Sequence, residues 1–297
     1  MKRNGIVILA VGEDYLNKWK TYSKPSVEKY CERFDLELVV QTELLDVSDR
    51  AKSRSAAWQK CLIGTLPEVK KLDRVVWMDS DIVVNNANAG NIFELVPEGK
   101  IGGSEAFTFF NKPYYKFILS EMFKFWEKAG VQYIHNLTGK EFYQNYGIDT
   151  ELNDVIQTGV MVMEPAQHAE IFERAYHNYE EKGSSAWNYE MRPLSYEIVK
   201  SGMFHEVDDR YNFLVSNYLT GFYPDAQNGY TLTKSETYIQ RLIAFFKSQN
   251  IKVWQDSYLE KAIVTAYSNA SFLHFAGCQT YIPLLGVRTG LSKQDFM

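Results

Sequence analysis

The feature that most constrains this chain is Arg74-Val-Val-Trp-Met-Asp79-Ser80-Asp81-Ile-Val-Val84. A strand buried on both faces reads as a near-continuous apolar run. It does not tolerate two carboxylates in its middle, because burying unpaired charge costs several kcal/mol. The aspartates must therefore leave the strand at its end, where something neutralises them. Residues i and i+2 of an extended chain point the same way, so Asp79 and Asp81 can converge on one point. Hard oxygen ligands so placed suit Mg2+ or Mn2+, which often bridge carboxylates to substrate phosphates. An isolated Asp-x-Asp is more often an acidic turn. Here apolar flanks on both sides, and the partners described below, favour a metal centre.

The surrounding pattern places this strand in a sheet. Gly5-Ile-Val-Ile-Leu-Ala-Val11 predicts a buried first strand ending at Gly12, and Leu36-Glu-Leu-Val-Val40 a second. Between them Tyr15, Trp19, Val27, Tyr30 and Phe34 predict a helix capped by Asp14, with a break at Pro25. From Ser53 to Leu66 the apolar residues recur at helical spacing before Pro67. Strand, helix, strand, helix, strand argues for βαβ units and a parallel sheet, an α/β fold. Further on, Ile101-Gly-Gly-Ser predicts a strand end where backbones approach closely. Val155 to Met163 predicts another strand. Helices are expected around Tyr115–Trp126, Phe172–Tyr179 and Pro193–Lys200. With no repeat, low-complexity tract or linker, two lobes should share one continuous body.

Composition removes several function classes. The 297 residues are 45% apolar and 23% charged, within the ordinary globular range. A net charge of −5 gives no sequence-wide field for nucleic acid. Cys31, Cys61 and Cys278 form neither a C-x-x-C pair nor a disulfide framework, and read as thiols in a reducing compartment. The first residues lack a signal-peptide core and no apolar run is long enough to span a membrane. The expected location is cytoplasmic, free or peripheral to a membrane. Asn136-Leu-Thr and Asn269-Ala-Ser then match the glycosylation pattern by chance.

Four further segments carry possible chemistry: Gln157-Thr-Gly-Val-Met-Val-Met163; Glu190-Met-Arg-Pro-Leu-Ser-Tyr-Glu-Ile198; Asp208-Asp-Arg-Tyr-Asn212; and Phe272-Leu-His274-Phe-Ala-Gly277. Each alone has a plain reading as strand entry, helix start, solvated turn or core histidine. Taken in this order with the Asp-x-Asp, they resemble glycosyltransferases of the GT-A fold. The similarity is to family 8, which includes glycogenin and bacterial lipooligosaccharide galactosyltransferases, and to family 34. It spans most of residues 5–277. This chain departs from the family 8 pattern in three places. Gln157 stands where Asn is usual, Glu190-Met191 where an Asp-Gln pair is common, and Cys278-Gln-Thr-Tyr281 where a Lys-Pro-Trp contacts phosphate.

The resemblance implies a GT-A, mostly parallel sheet flanked by helices. Residues 1–165 would form a nucleotide-sugar and metal-binding lobe, and 166–297 an acceptor lobe from which His274 returns to the metal. Asp79, Asp81 and His274 would hold Mn2+ or Mg2+. Ala10, Val11, Tyr15 and Ser80 would line the nucleotide site, with Lys60 or Arg54 meeting phosphate or donor sugar. Helical phase puts Lys60 opposite its apolar stripe and Arg54 near the stripe; either could reach the cleft, and the plain alternative for Lys60 is a solvated side chain. Glu190, with Asp154 and Gln157 nearby, is the expected reaction-face group. The implied activity is metal-dependent transfer of a sugar from a nucleotide-sugar donor, UDP-linked by resemblance, to a glycan or other hydroxyl, with retention of configuration favoured. Two other classes compete. A nucleotidyltransferase would ordinarily show a Gly-rich, basic loop after the first strand, where Gly12-Glu13-Asp14 is acidic. A non-catalytic carbohydrate-binding protein would use the many aromatics but would not need the Asp-x-Asp, His274 and Glu190 together.

Overall fold

The computed structural model describes residues 2–107, 112–128, 138–182, 189–223 and 254–285. The side chains of Phe125 and Trp126, and Asn136 of the first glycosylation pattern, lie outside the described set. Strand β1 (Asn4–Leu9) pairs in parallel with β2 (Glu37–Gln41) and with β3 (Arg74–Met78). The main sheet is completed by β6 (Val160–Met163), β5 (Ile101–Gly103) and β7 (Phe204–Glu206), in the order β2-β1-β3-β6-β5-β7. Strand β6 is antiparallel to both β3 and β5, and β7 is parallel to β5. Five strands thus run one way and β6 the other.

The two faces of the sheet follow from the period of two. Ile6, Ile8, Val76 and Met78 pack with Val27, Tyr30 and Trp19 on one side. Val7, Val75 and Trp77 pack with Trp58, Cys61, Phe172 and Leu194 on the other. Helices cover both faces, which explains why β1 and β3 read as unbroken apolar runs. Arg74 is buried at the start of β3 because its guanidinium donates to the carbonyls of Phe93 and Val96, each at 2.8 Å.

After Ser80-Asp81 the chain enters β4 (Ile82–Val84), which leaves the main sheet. It pairs antiparallel with β9 (Phe272–His274), and β9 pairs in parallel with β8 (Phe213–Leu214). Ile82 lies opposite His274. Helices α4 (Lys112–Lys128), α8 (Val215–Phe222) and α9 (Trp254–Asn269) build a second core around Ile118, Leu219, Ile263 and Phe275. Among the described residues, no helix is long and apolar enough to cross a membrane.

Four local expectations change. The first helix is α1 (Glu13–Lys18), continued by a π turn at Trp19–Ser23 into α2 (Lys24–Phe34), with Pro25 in the first turn of α2. Its N-cap is Gly12 at φ 90°, not Asp14. The chain must turn sharply off β1, which glycine permits, and Asp14 instead pairs with Lys18 from the acidic first turn. The strand expected over Val155–Met163 is confined to Val160–Met163, with Ile156 a lone bridge to Glu105. The interruption falls at Gln157-Thr158-Gly159. Residues Ala56–Thr65 form a 3₁₀ helix rather than an α-helix, and every residue from Trp58 to Gly64 is buried. The solvated face expected for Lys60 therefore does not exist.

Other expectations hold. Helix α6 (Pro165–Asn178) follows β6, and α7 (Met191–Lys200) ends before Gly202 at φ 71°. The glycines of Ile101-Gly-Gly-Ser serve close packing, since a Cβ on Gly103 would lie 2.5 Å from Ile156 Cδ1.

Candidate active site

The site forms where β3 ends. Asp79 continues the parity of Val75 and Trp77, so it emerges toward the 3₁₀ helix Ala56–Thr65 and meets Lys60 there, Nζ to Oδ1 at 3.1 Å. Trp77 Nε1 donates to the same oxygen at 2.9 Å. The other oxygen, Oδ2, lies 3.7 Å from His274 Nε2. Asp81 mirrors this arrangement. Gln279 Nε2 donates to Asp81 Oδ2 at 3.0 Å, and Asp81 Oδ1 lies 3.2 Å from His274 Nε2. The Phe275 amide donates to the Asp81 carbonyl at 3.1 Å, locking the strand end to the residue after His274. Each carboxylate thus has one oxygen held by protein donors and one turned toward the imidazole. One ligand atom from each of Asp79, Asp81 and His274 can be chosen so that all lie within 4.8 Å of one another. Among the described residues this is the one group of at least three such side chains so arranged.

Burial opposes charge in this cluster, and the neighbours decide the outcome. It pushes the Asp81 carboxyl up, but His274 and Gln279 more than reverse it, so the group sits below the usual carboxylate range. Burial lowers His274, and Asp81 and Asp79 outweigh that, so the imidazole holds its proton more tightly than usual.

A second pair adjoins the first. Lys60 is only 4% exposed, and its Nζ lies 2.8 Å from Glu190 Oε1, with the Thr158 carbonyl accepting at 3.3 Å. Thr158 Oγ1 donates to the same Glu190 oxygen at 3.1 Å. Burial works against the Lys60 charge, but Asp79 and Glu190 together hold the ammonium above its ordinary range. Burial pushes the Glu190 carboxyl above its usual range even against Lys60. Glu190 is the N-cap residue of α7, yet its side chain makes no capping bond. Its carboxylate turns into the site.

The remaining sequence-derived residues are placed as follows. Arg54 is committed elsewhere: its guanidinium pairs with Glu180 at 2.7 Å, donates to the Tyr176 and Tyr179 carbonyls and stacks on Trp58. Ala10, which is buried, and Val11 follow β1, and Ser80 is half-buried between the aspartates. Tyr15 is half exposed on α1. Gln157 Oε1 accepts from the Gly159 amide at 3.1 Å. Asp154 is exposed, and its carbonyl accepts from Tyr143 Oη. The structure also brings in Trp77, Thr158 and Gln279, to which the sequence reading gave no role. Parity with Asp79 pointed to Trp77. Thr158 and Gln279 are ordinary polar residues whose types carry no signal.

Carboxylates at the end of a central strand, in the crevice outside an open α/β sheet, mark the usual ligand site of such folds. The chain belongs to glycosyl transferase family 8, whose family model matches residues 5–278. Its mostly parallel α/β sheet is the expected GT-A architecture, and the protein is a glycosyltransferase. No curated protein sequence matches it.

Solved structures give distant likenesses. A glycosyltransferase involved in glycosylation of the major capsid of PBCV-1 is 14% identical at a TM-score of 0.48, covering 94% of this chain and 99% of that one. The apo bifunctional glycosyltransferase WbbM is 12% identical at 0.49, covering 93% of this chain and 46% of that one. GlyE of Streptococcus pneumoniae TIGR4 is 12% identical at 0.44, covering 93% and 54%.

Proposed function

We propose that this glycosyltransferase moves a sugar from a UDP-linked donor to a hydroxyl of a glycan or other acceptor, with Mn2+ or Mg2+ and with retention at the anomeric carbon. The observation that carries the reading is the division of the two carboxylates. Protein donors hold one oxygen of each, and the free oxygens converge with His274 Nε2. Two carboxylate oxygens and one imidazole suit Mn2+, and after it Mg2+, better than Ca2+. Such a cation, when bound, offsets the charge that builds on a diphosphate leaving group.

The chain's own groups supply the rest. Ala10 and Val11, just after β1, and Tyr15 on α1 would receive the nucleotide, and Ser80 would face it from between the aspartates. Arg54 is committed to Glu180, and Lys60 to Asp79 and Glu190, so Lys60 would serve the donor by balancing and placing those two carboxylates from beneath rather than by meeting phosphate itself. Glu190 lies on the far side of Lys60 from Asp79, and Lys60 links the two carboxylates. There it would stabilise positive charge on the reacting sugar, with Gln157 and Asp154 nearer the acceptor. Residues 1–165 would then form the donor lobe and 166–297 the acceptor lobe, with His274 returning across. Three free thiols support a reducing, cytoplasmic setting, free or peripheral to a membrane.

The test is turnover of a nucleotide-sugar panel with Mn2+, Mg2+ or EDTA, with the product anomer read by NMR. Wild type should turn over at least one donor only with metal and with retention. Folded Asp81→Ala should lose metal-dependent turnover. Turnover indifferent to EDTA and to Asp81→Ala would remove the aspartates from the mechanism.

A further inference from the structure

We infer that Asn212 and Gly159 are positioning residues that hold His274 as a nitrogen ligand, an inference that rests on the metal-centre reading above. His274 is 3% exposed, and its Nδ1 lies 2.7 Å from Asn212 Oδ1. The far end of the Asn212 amide sets its orientation. Nδ2 reaches the Gln157 carbonyl oxygen at 3.5 Å, and that oxygen can only accept. Oδ1 is therefore the atom that faces the ring, and an amide oxygen there requires a proton on Nδ1. A neutral imidazole carries one N–H, so Nε2 keeps its lone pair. Nε2 is the atom that faces Asp81 Oδ1 and Asp79 Oδ2. A partner on the second ring nitrogen is the usual device for fixing a histidine ligand.

Asn212 is itself well held. It is 2% exposed and ends the 3₁₀ turn Asp209–Asn212, which Asp208 caps by accepting from the Arg210 amide. The chain then enters β8, where Leu214 lies in register with His274. Gly159 makes room for the ring. A Cβ there would stand 2.7 Å from His274 Nδ1 and 3.2 Å from Asn212 Oδ1, and closer still to Cε1. Its φ is not in the left-handed region, so the imidazole, not the backbone, requires glycine here. The Gly159 carbonyl accepts from the Asp79 amide at 2.9 Å. The residue that clears space for the histidine thus also anchors the first aspartate.

The experiment measures Mn2+ affinity by electron paramagnetic resonance on the intact protein, without donor and without turnover. Asn212→Leu and Asn212→Ser, which lack an acceptor of the right reach, should each weaken Mn2+ binding by about 10–100-fold. Asn212→Asp keeps an acceptor oxygen at the same place and should bind within about threefold of wild type, because the same nitrogen remains fixed. Gly159→Ala should lose affinity as Asn212→Leu does, and His274→Ala at least as much. Melting temperature establishes that each variant is folded, and Asn212→Ser decides alone if the leucine variant is not. Wild-type affinity in a folded Ser or Leu variant, with His274→Ala impaired, would overturn the proposal. So would an Asp variant as weak as Leu, since the side chain would then serve only packing. If His274→Ala itself binds Mn2+ like wild type, the metal-centre reading fails and this inference goes with it.

Discussion

At the residue scale the informative unit is the buried pair Lys60–Glu190. Breaking such a pair by removing one partner is strongly destabilising, about 3–5 kcal/mol, because a buried charge is left alone. Lys60→Met should therefore lower unfolding free energy by several kcal/mol in urea, and Lys60→Met/Glu190→Gln should recover much of it. Equal stability of the single and double variants would mean that the two charges do not meet. Glu190→Gln alone keeps size and the Thr158 contact but loses the charge. It should cut kcat by ~10²-fold or more while sparing Mn2+ affinity, the usual worth of a positioned acid or base. A helix cap would behave differently, costing about 0.3–1 kcal/mol of stability with normal turnover. Asp79, Asp81 and His274 stand out in the sequence because charged or ligating types sit beside apolar runs, whereas Glu190 is indicated only by the family resemblance. The solvated alternative for Lys60 rests on α-helical phase, whereas the 3₁₀ segment is buried all round. Asn212 was visible as part of a motif, but its partner lies 62 residues away.

At the element scale, that 3₁₀ helix is delivered to the site by packing on α6. Gly64 lies over Ala169, and an added Cβ would come within 2.6 Å of Ala169 Cβ and 3.2 Å of its Cα. Neither atom can swing aside. Gly64→Ala should therefore cost about 1–3 kcal/mol through overpacking. It should also reduce turnover, since Lys60 sits about one turn earlier on the displaced element. Gly64→Ala/Ala169→Gly should restore part of both losses, less about 1 kcal/mol for a glycine inside a helix. An unchanged melting temperature in Gly64→Ala would show that this contact does not set the element's position. Strands β1, β2 and β3 were readable from apolar runs bounded by turn residues. The 3₁₀ winding was not, because Trp58 and Cys61 fit either period over so short a stretch. The late start of the strand expected from Val155 fits Gln157-Thr-Gly, whose polar residues and glycine suit a turn better than a ladder.

At the scale of the whole molecule, the site joins distant parts of the chain. The parallel sheet could be inferred from alternating strands and helices. The small sheet β4-β9-β8 could not, since strands of three, three and two residues show no period. Yet this sheet carries His274 to the aspartates, nearly two hundred residues earlier in sequence. A ligand held at that junction binds both ends of the fold at once and should be lost on unfolding. Anything that binds only the native state stabilises it by RT ln(1 + [L]/Kd), about 2.7 kcal/mol at a hundredfold excess over Kd. For a chain of this size that corresponds to a rise in Tm of roughly 5 °C. Mn2+ with UDP should produce this shift, and EDTA should abolish it. Asp81→Ala should show no Mn2+-dependent shift, whereas His274→Ala should need a higher concentration of Mn2+ for the same rise. Lys60→Met should still shift, from a lower starting Tm, because Lys60 balances charge without holding the ion. A melting curve indifferent to saturating Mn2+ and UDP would break the link between the sheet that carries His274 and the carboxylates that end β3.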